Sequence, residues 1–185
     1  MNSMPILDGS GNLVYVMAVG DGTQADPYRY APMDYVDALV DSGLVFQHSE
    51  RQELANNAKL DHLIVTPLGV HTELLLISIS PDSGPINIDL YEGAIVSANG
   101  TAHTLYNLNR KSVNTTSTTL YENPTVTDVG QHLLSQQASG SKDVGNSSDR
   151  EGRIVLKESE KYLLRIVNES GTNAFITINI RIGED

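Results

Sequence analysis

The chain has 185 residues and no cysteine, enough for one compact core, and disulfides, thiolate metal sites and a thiol nucleophile are excluded. Its 23 acidic and 12 basic residues give a formal charge of −11, which repels phosphate backbones and anionic lipid and argues against nucleic acid or a membrane as partner. Tryptophan is absent and phenylalanine occurs only twice, so any aromatic platform has to come from the 8 tyrosines.

No run of about 18 apolar residues occurs, and the start of the chain lacks the basic flank and apolar stretch of a signal peptide. Neither membrane insertion nor ordinary secretion is therefore expected. Residues 1–31 read as an extended N-terminal arm. Leu13 to Val19 is an extended run between two glycine-rich turns, Asp8-Gly9-Ser10-Gly11-Asn12 and Gly20-Asp21-Gly22. Asp8, Asn12, Asp21 and Asp26 offer oxygen to a calcium ion, but the EF-hand spacing and its terminal Glu are missing, and ordinary turns are expected.

Residues 32–70 read as a short helical segment. Met33, Val36, Leu39 and Val40 fall on one face of a helix that Gly43 ends. A second helix is expected from Ser49 as N-cap, with Gln52 and Glu53 just inside and Leu54, Ala58 and Leu60 on one side. The pair reads as a lid over a sheet. Tyr28, Tyr30 and Tyr35 form a local aromatic group for which packing is the expected role.

Residues 71–185 read as a β-sandwich domain. Leu74 to Ser80 is apolar on both sides, as in a central strand, and Pro81 to Pro85 turns the chain. Ile86, Ile88 and Leu90 alternate with Asn87 and Asp89, so an antiparallel pair with the preceding strand is expected. Asn99-Gly100 predicts a type I′ hairpin between Ala94–Ala98 and Thr101–Tyr106. Asn107 to Asn123 reads as a long loop with a short strand, and Gln131 to Ser139 as either a strand or a helical turn. Ser139 to Ser148 has the composition of an exposed loop, and Arg153 to Leu156 returns to strand. From Lys161 to Ile182 a terminal hairpin is expected, with Ala174, Ile176, Ile178, Ile180 and Ile182 on one buried face. Leu76, Ile88, Ile176, Ile178 and Ile180 are the expected core. The fold class that follows is mainly β: an antiparallel, jelly-roll-like β-sandwich with an extended N-terminal arm and one or two short helices.

Catalytic signatures are missing. The sequence holds no Walker A loop, dinucleotide fingerprint, G-x-S-x-G elbow or H-E-x-x-H. His48, His62, His71, His103 and His132 are dispersed singly, and no metal, cofactor or catalytic residue is expected from them. The carboxylate pair of a glycoside hydrolase is set by the fold, and nothing in the sequence selects one.

Several segments carry a resemblance. Met4 to Asn12, Gly20 to Tyr28, Leu90-Tyr91-Glu92-Gly93-Ala94, Asn99-Gly100-Thr101, Tyr106-Asn107-Leu108-Asn109-Arg110 and Tyr162 to Gly171 are similar to segments of tailed-bacteriophage virion proteins. The chain resembles the head decoration, or capsid cement, proteins with a β-sandwich body. That resemblance implies a homo-oligomer, commonly a trimer, synthesised in the bacterial host cytoplasm. It would sit on the capsid exterior of the virion, bridge major capsid protein subunits from outside, and need no catalytic residue. Ile6, Leu7, Leu13, Tyr15 and Met17 of the arm are the capsid-contact candidates, through addition of strands to an existing surface. An ordinary sandwich strand at Leu13 to Val19 is the other reading of the same residues. The alternative function is a glycan-binding or receptor-binding module of a tail fibre, against which sparse aromatics argue; a glycan hydrolase comes third.

Overall fold

Alternation of apolar and polar residues dominates the chain, and the structure is correspondingly mainly β, with one short helix among the described residues. The computed structural model describes residues 35–140 and 153–185, together with the backbone of Ser3–Leu7, Leu13–Val19 and Arg29–Met33. The chain divides into two compact units, Met1–Val45 with Asn107–Asn114, and Phe46–Tyr106 with Thr115–Asp185. Among the described residues, no helix is long and apolar enough to cross a membrane.

In the first unit, β1 (Ser3–Leu7), β2 (Leu13–Val19) and β3 (Arg29–Met33) form an antiparallel sheet of their own, with β2 in the middle. Helix α1 (Tyr35–Asp41) follows and buries Ala38 and Leu39. Its end is set by Gly43, at φ 71°: the Gly43 N–H donates to Val40 O and the Leu44 N–H to Leu39 O, both at 2.9 Å. This is the left-handed glycine cap expected from the sequence. A methyl group at Gly43 would sit 2.2 Å from Ser112 Oγ, so the loop closes on a position only glycine can fill. That loop also serves the helix, because Asn107 Nδ2 donates to Gly43 O at 2.9 Å and Asn109 Nδ2 to Asp41 O at 2.8 Å.

The second unit is an antiparallel β-sandwich. Its strands in chain order are β4 (Val45–Leu54), β5 (Lys59–Val65), β6 (Thr72–Pro81), β7 (Gly84–Glu92), β8 (Ile95–Ala98), β9 (Thr101–His103), β10 (Tyr106–Asn107), β11 (Thr119–Glu122), β12 (Thr125–Asp128), β13 (Gln131–Gly140), β14 (Ile154–Leu156), β15 (Lys161–Asn168) and β16 (Ala174–Glu184). One sheet has the order β10-β4-β16-β6-β14 and the other β13-β7-β15-β5-β11-β9, with β8 and β12 as a separate pair. Side chains of both sheets form a single core that includes Phe46, Ile64, Ile79, Ile88, Leu120, Ile166 and the Ile176–Ile182 stripe. Each buried isoleucine contributes on the order of 1.5–3 kcal/mol. A smaller cluster joins Leu63, Leu163 and Ala94 to Val96 and Val126 of the β8–β12 ribbon, which explains why both leucines are buried at positions that alternate with the main core.

The structure corrects the sequence reading at five places. Residues 49–60, read as a second helix, form the end of β4, a turn and the start of β5. The two-residue stripe His48, Glu50, Gln52, Leu54 takes up one face of a strand, and the sandwich supplies the pairing that local propensity does not. Strands β6 and β7 do not pair: β6 lies between β16 and β14, and β7 between β13 and β15. Consecutive strands placed in opposite layers let their dry faces meet across the core, which side-by-side pairing would not allow. The same holds for the terminal strands, since β15 pairs with β5 and β7, and β16 with β6.

Asn99-Gly100 is likewise no hairpin turn. Strand β9 pairs with β11 and β8 with β12, so 95–103 and 119–128 form one long ribbon in which both chains bend together. Gly100, at φ 92°, stands where a methyl group would meet Glu122 O at 2.1 Å, and Asn123 across from it has φ 54°. Finally, Leu76 is only half-buried, whereas Ile88, Ile176, Ile178 and Ile180 belong to the core. A register shift where Arg181 opposes Leu76 and Ile182 opposes Leu74 moves the inward phase of β6 from Leu74 to Ile77 and Ile79, turning Leu76 away. Gln131 to Ser139, open between two readings, is strand β13.

Tyr162 ties two ends of this body together. Its hydroxyl donates to Glu92 Oε2 at 2.9 Å and accepts from the Lys157 N–H at 2.8 Å. Burial pushes its pKa from 10.0 up to about 12, with the Lys157 amide opposing and Glu92 adding to the rise. The neutral phenol thus contributes stability that is complete below pH 10 and lost as pH climbs from 10 toward 12, where the unfolded chain gives up the proton first. We expect the melting temperature of the wild type to fall across that window more steeply than that of Tyr162→Phe. Parallel curves would show that Tyr162 carries no such linkage.

Candidate functional site

Five titratable side chains of the sandwich body converge between its sheets. On β4, His48, Glu50 and Gln52 alternate with outward residues and share a face with Phe46 and Leu54, which belong to the core. Across from them, His62 of β5 is the direct register partner of Glu122 on β11, and His103 of β9 is the partner of Leu120, two residues before Glu122. Since Leu120 and Ile64 are core residues, His62, His103 and Glu122 lie on the inward face of their sheet. Polar groups therefore occupy positions that the fold otherwise gives to apolar ones.

The hydrogen bonds have a definite direction. His62 Nε2 lies 2.7 Å from Glu50 Oε1 and His103 Nε2 2.9 Å from Glu122 Oε2; a carboxylate only accepts, so both rings carry a proton on Nε2. Gln52 Nε2 donates to Glu50 Oε1 and to Glu122 Oε1, each at 3.2 Å, linking the two carboxylates. His48 Nδ1 donates to Thr104 O at 3.4 Å. Its other nitrogen, Nε2, is buried without a hydrogen-bond partner, although it lies 3.4 Å from Glu50 Oε2. The three rings are close, with His48 and His103 centroids 4.7 Å apart and edge-on, and His62 6.5 Å from each.

Charge is unbalanced in this space. Two carboxylates are present, and among the described residues neither is paired with a lysine or arginine. Burial pushes the Glu50 carboxyl up, but His48 and His62 outweigh it and hold the group well below the usual carboxylate range. The Glu50 carboxylate in turn raises the His48 pKa above 6.5, with burial opposing. Imidazole and carboxylate together can move protons or hold a metal ion. Among the described residues no serine or threonine hydroxyl bonds to any of the three rings, so a nucleophile–base pair is not formed here.

The residues singled out from the sequence fare differently. Ile6 and Leu7 lie in β1, and Leu13, Tyr15 and Met17 in β2, with Leu7 opposite Leu13 and Pro5 opposite Tyr15. Leu13 to Val19 is thus a strand of the separate N-terminal sheet and not of either sandwich sheet. Asp8, Asn12, Asp21 and Asp26 lie outside the described residues, as do Tyr28 and most of the loop from Ser139 to Ser148. Of the five histidines, His71 and His132 stand apart, His71 bonded to Glu73 and His132 to Asp89. The other three form the cluster, which the sequence reading missed. Its one local signal was His48-x-Glu50-x-Gln52, visible only once β4 is read as a strand.

No protein-family model matches the chain, and no curated protein matches it. Fold and site define a class only: an antiparallel β-sandwich with a histidine–carboxylate cluster between its sheets.

Proposed function

We propose that this chain is a virion structural protein that binds the outside of a bacteriophage capsid and bridges neighbouring major capsid subunits. The observation that carries the reading is the N-terminal sheet. Strands β1 to β3 pair with one another and join neither sandwich sheet, so among the described residues β1 and β3 each keep one edge unpaired. An unpaired edge is a template for strands of another chain, where main-chain hydrogen bonds supply affinity and alternate side chains supply register. The arm candidates Ile6, Leu7, Leu13, Tyr15 and Met17 all lie on these strands. The likeness to decoration proteins adds the expectation of a homotrimer, and an acidic exterior keeps such particles from associating.

Co-sedimentation with undecorated, expanded capsids tests the proposal. The full chain is expected to pellet with the particles and to run as a trimer under non-denaturing conditions. A version lacking residues 1–22, which removes β1 and β2, is expected to remain folded and stay in the supernatant. Failure of the full chain to bind would reject the capsid role. Binding by the truncated chain would move the contact to the sandwich body.

A further inference from the structure

We propose that the cluster between the sheets is a binding site for one divalent first-row transition-metal ion, held by His48, Glu50 and His103. The ligand atoms of these three residues lie within 4.8 Å of one another. Metal–ligand bonds of about 2.0–2.1 Å in a tetrahedral site place donor atoms about 3.3 Å apart. His48 Nε2 and Glu50 Oε2 already stand 3.4 Å apart, without a hydrogen bond between them, at the separation of two ligands on one ion. Rotation of the His103 ring or the Glu50 carboxylate brings the third donor in.

Three further observations point to a cation. His48 is 7% exposed, and its Nε2 is buried in the cluster with no hydrogen-bond partner; in the neutral form a ligand takes, with the proton on Nδ1 given to Thr104 O, that nitrogen presents an unshared pair there. Two carboxylates face the same space with no lysine or arginine paired to them among the described residues, so a positive charge is missing there. The remaining groups are arranged as supports for ligands: Gln52 and His62 both donate to Glu50 Oε1, and Glu122 accepts from His103 Nε2. Mixed imidazole and carboxylate donors favour zinc-like ions over calcium or magnesium, which take oxygen. Three protein ligands leave a fourth position, and the side chains of Glu50 and His103, 16% and 22% exposed, place it within reach of water. The bound ion would tie β4 of one sheet to β9 of the other.

The test uses the full chain, stripped with chelator and titrated with Zn²⁺ by calorimetry, and with Co²⁺ followed by absorption. The expected result is one equivalent per chain, a higher melting temperature with Zn²⁺ than with chelator, and cobalt bands of a four-coordinate site with nitrogen ligands. His48→Gln, Glu50→Gln and His103→Gln should each weaken Zn²⁺ binding more than 100-fold, and Glu122→Gln, which removes a support, about 10–100-fold. His132→Gln, outside the cluster, should bind as the wild type does. Should a variant fail to fold, the ¹⁵N shift of the His48 ring nitrogens in the wild type, with and without Zn²⁺, reads the same contact: Nε2 is expected to move to a metal-bound value. Absence of stoichiometric binding, an unmoved His48 ring, or undiminished affinity in folded His48→Gln would overturn the proposal and leave a proton on His48 as the missing charge.

Discussion

Ile178→Asp is expected to leave no soluble folded protein. Ile178 is fully buried in β16, opposite Ile79 in the ladder and inside the core shared by both sheets. Removing the side chain costs about 2–5 kcal/mol in packing, and the carboxylate that replaces it has no cation or donor in that apolar stripe. The sum reaches the whole stability of a typical domain, about 5–15 kcal/mol. Ile178→Val, which removes one methylene, should lower stability by only about 0.5–1.5 kcal/mol and remain soluble. Soluble yield and thermal melting of the two variants decide the matter. A soluble aspartate variant that melts with the wild type would show that this face is not the core.

Asn168→Ala should strongly destabilise the sandwich. Asn168 is fully buried at the end of β15, where its Nδ2 donates to Leu54 O and Thr172 O at 2.8 Å and to Ala55 O at 3.2 Å, and its Oδ1 accepts from the Ser170 N–H at 2.9 Å. One amide thus satisfies both the turn after β4 and the crossing from β15 to β16. Truncation strands the buried Leu54 carbonyl, at about 1–3 kcal/mol, and gives up the part-buried bonds to Ala55, Thr172 and Ser170, at about 0.5–1.5 kcal/mol each, so a loss of about 3–5 kcal/mol is expected. For a chain of this size that lowers the melting temperature by roughly 10 °C. Asn168→Asp separates shape from chemistry, because a carboxylate fills the same space but offers no hydrogen to the three carbonyls. It should be at least as unstable as the alanine variant. An aspartate variant that melts like the wild type would rule out these donor bonds as the source of stability.

Alternation is a local property, and where it is strong it was legible: the stripe from Ala174 to Ile182 and the run Ile86-Ile88-Leu90 are buried as read. The mainly β class and the glycine end of α1 follow from the same kind of local signal. Pairing is not local. Whether two consecutive strands lie side by side or in opposite layers depends on which other strands take their edges, so β6–β7 and β15–β16 both read as hairpins and neither is one. Asn99-Gly100 misled for a related reason, since its glycine is required by the approach of Glu122 O from another strand. Strand β4 was hidden because its inward positions carry His48, Glu50 and Gln52 while its outward ones carry Gln47, Ser49, Arg51 and Glu53, which leaves no contrast of hydropathy to alternate. The histidine cluster was lost with it, being assembled from four strands whose register no spacing in the sequence encodes.

The layering of consecutive strands bears on how the protein is made. Strand β6 finds a neighbour on one side only in β16 and on the other only in β14, and β7 waits for β13 and β15. A nascent chain emerging as far as β7 can pair neither strand with its final neighbour, so two half-buried apolar ribbons leave the ribosome unpaired. Closure of the β10-β4-β16-β6-β14 sheet then follows synthesis of β16 and proceeds by long-range search, which is slow compared with hairpin zippering. The interval before that closure is when the chain is expected to be most exposed to aggregation and to proteases.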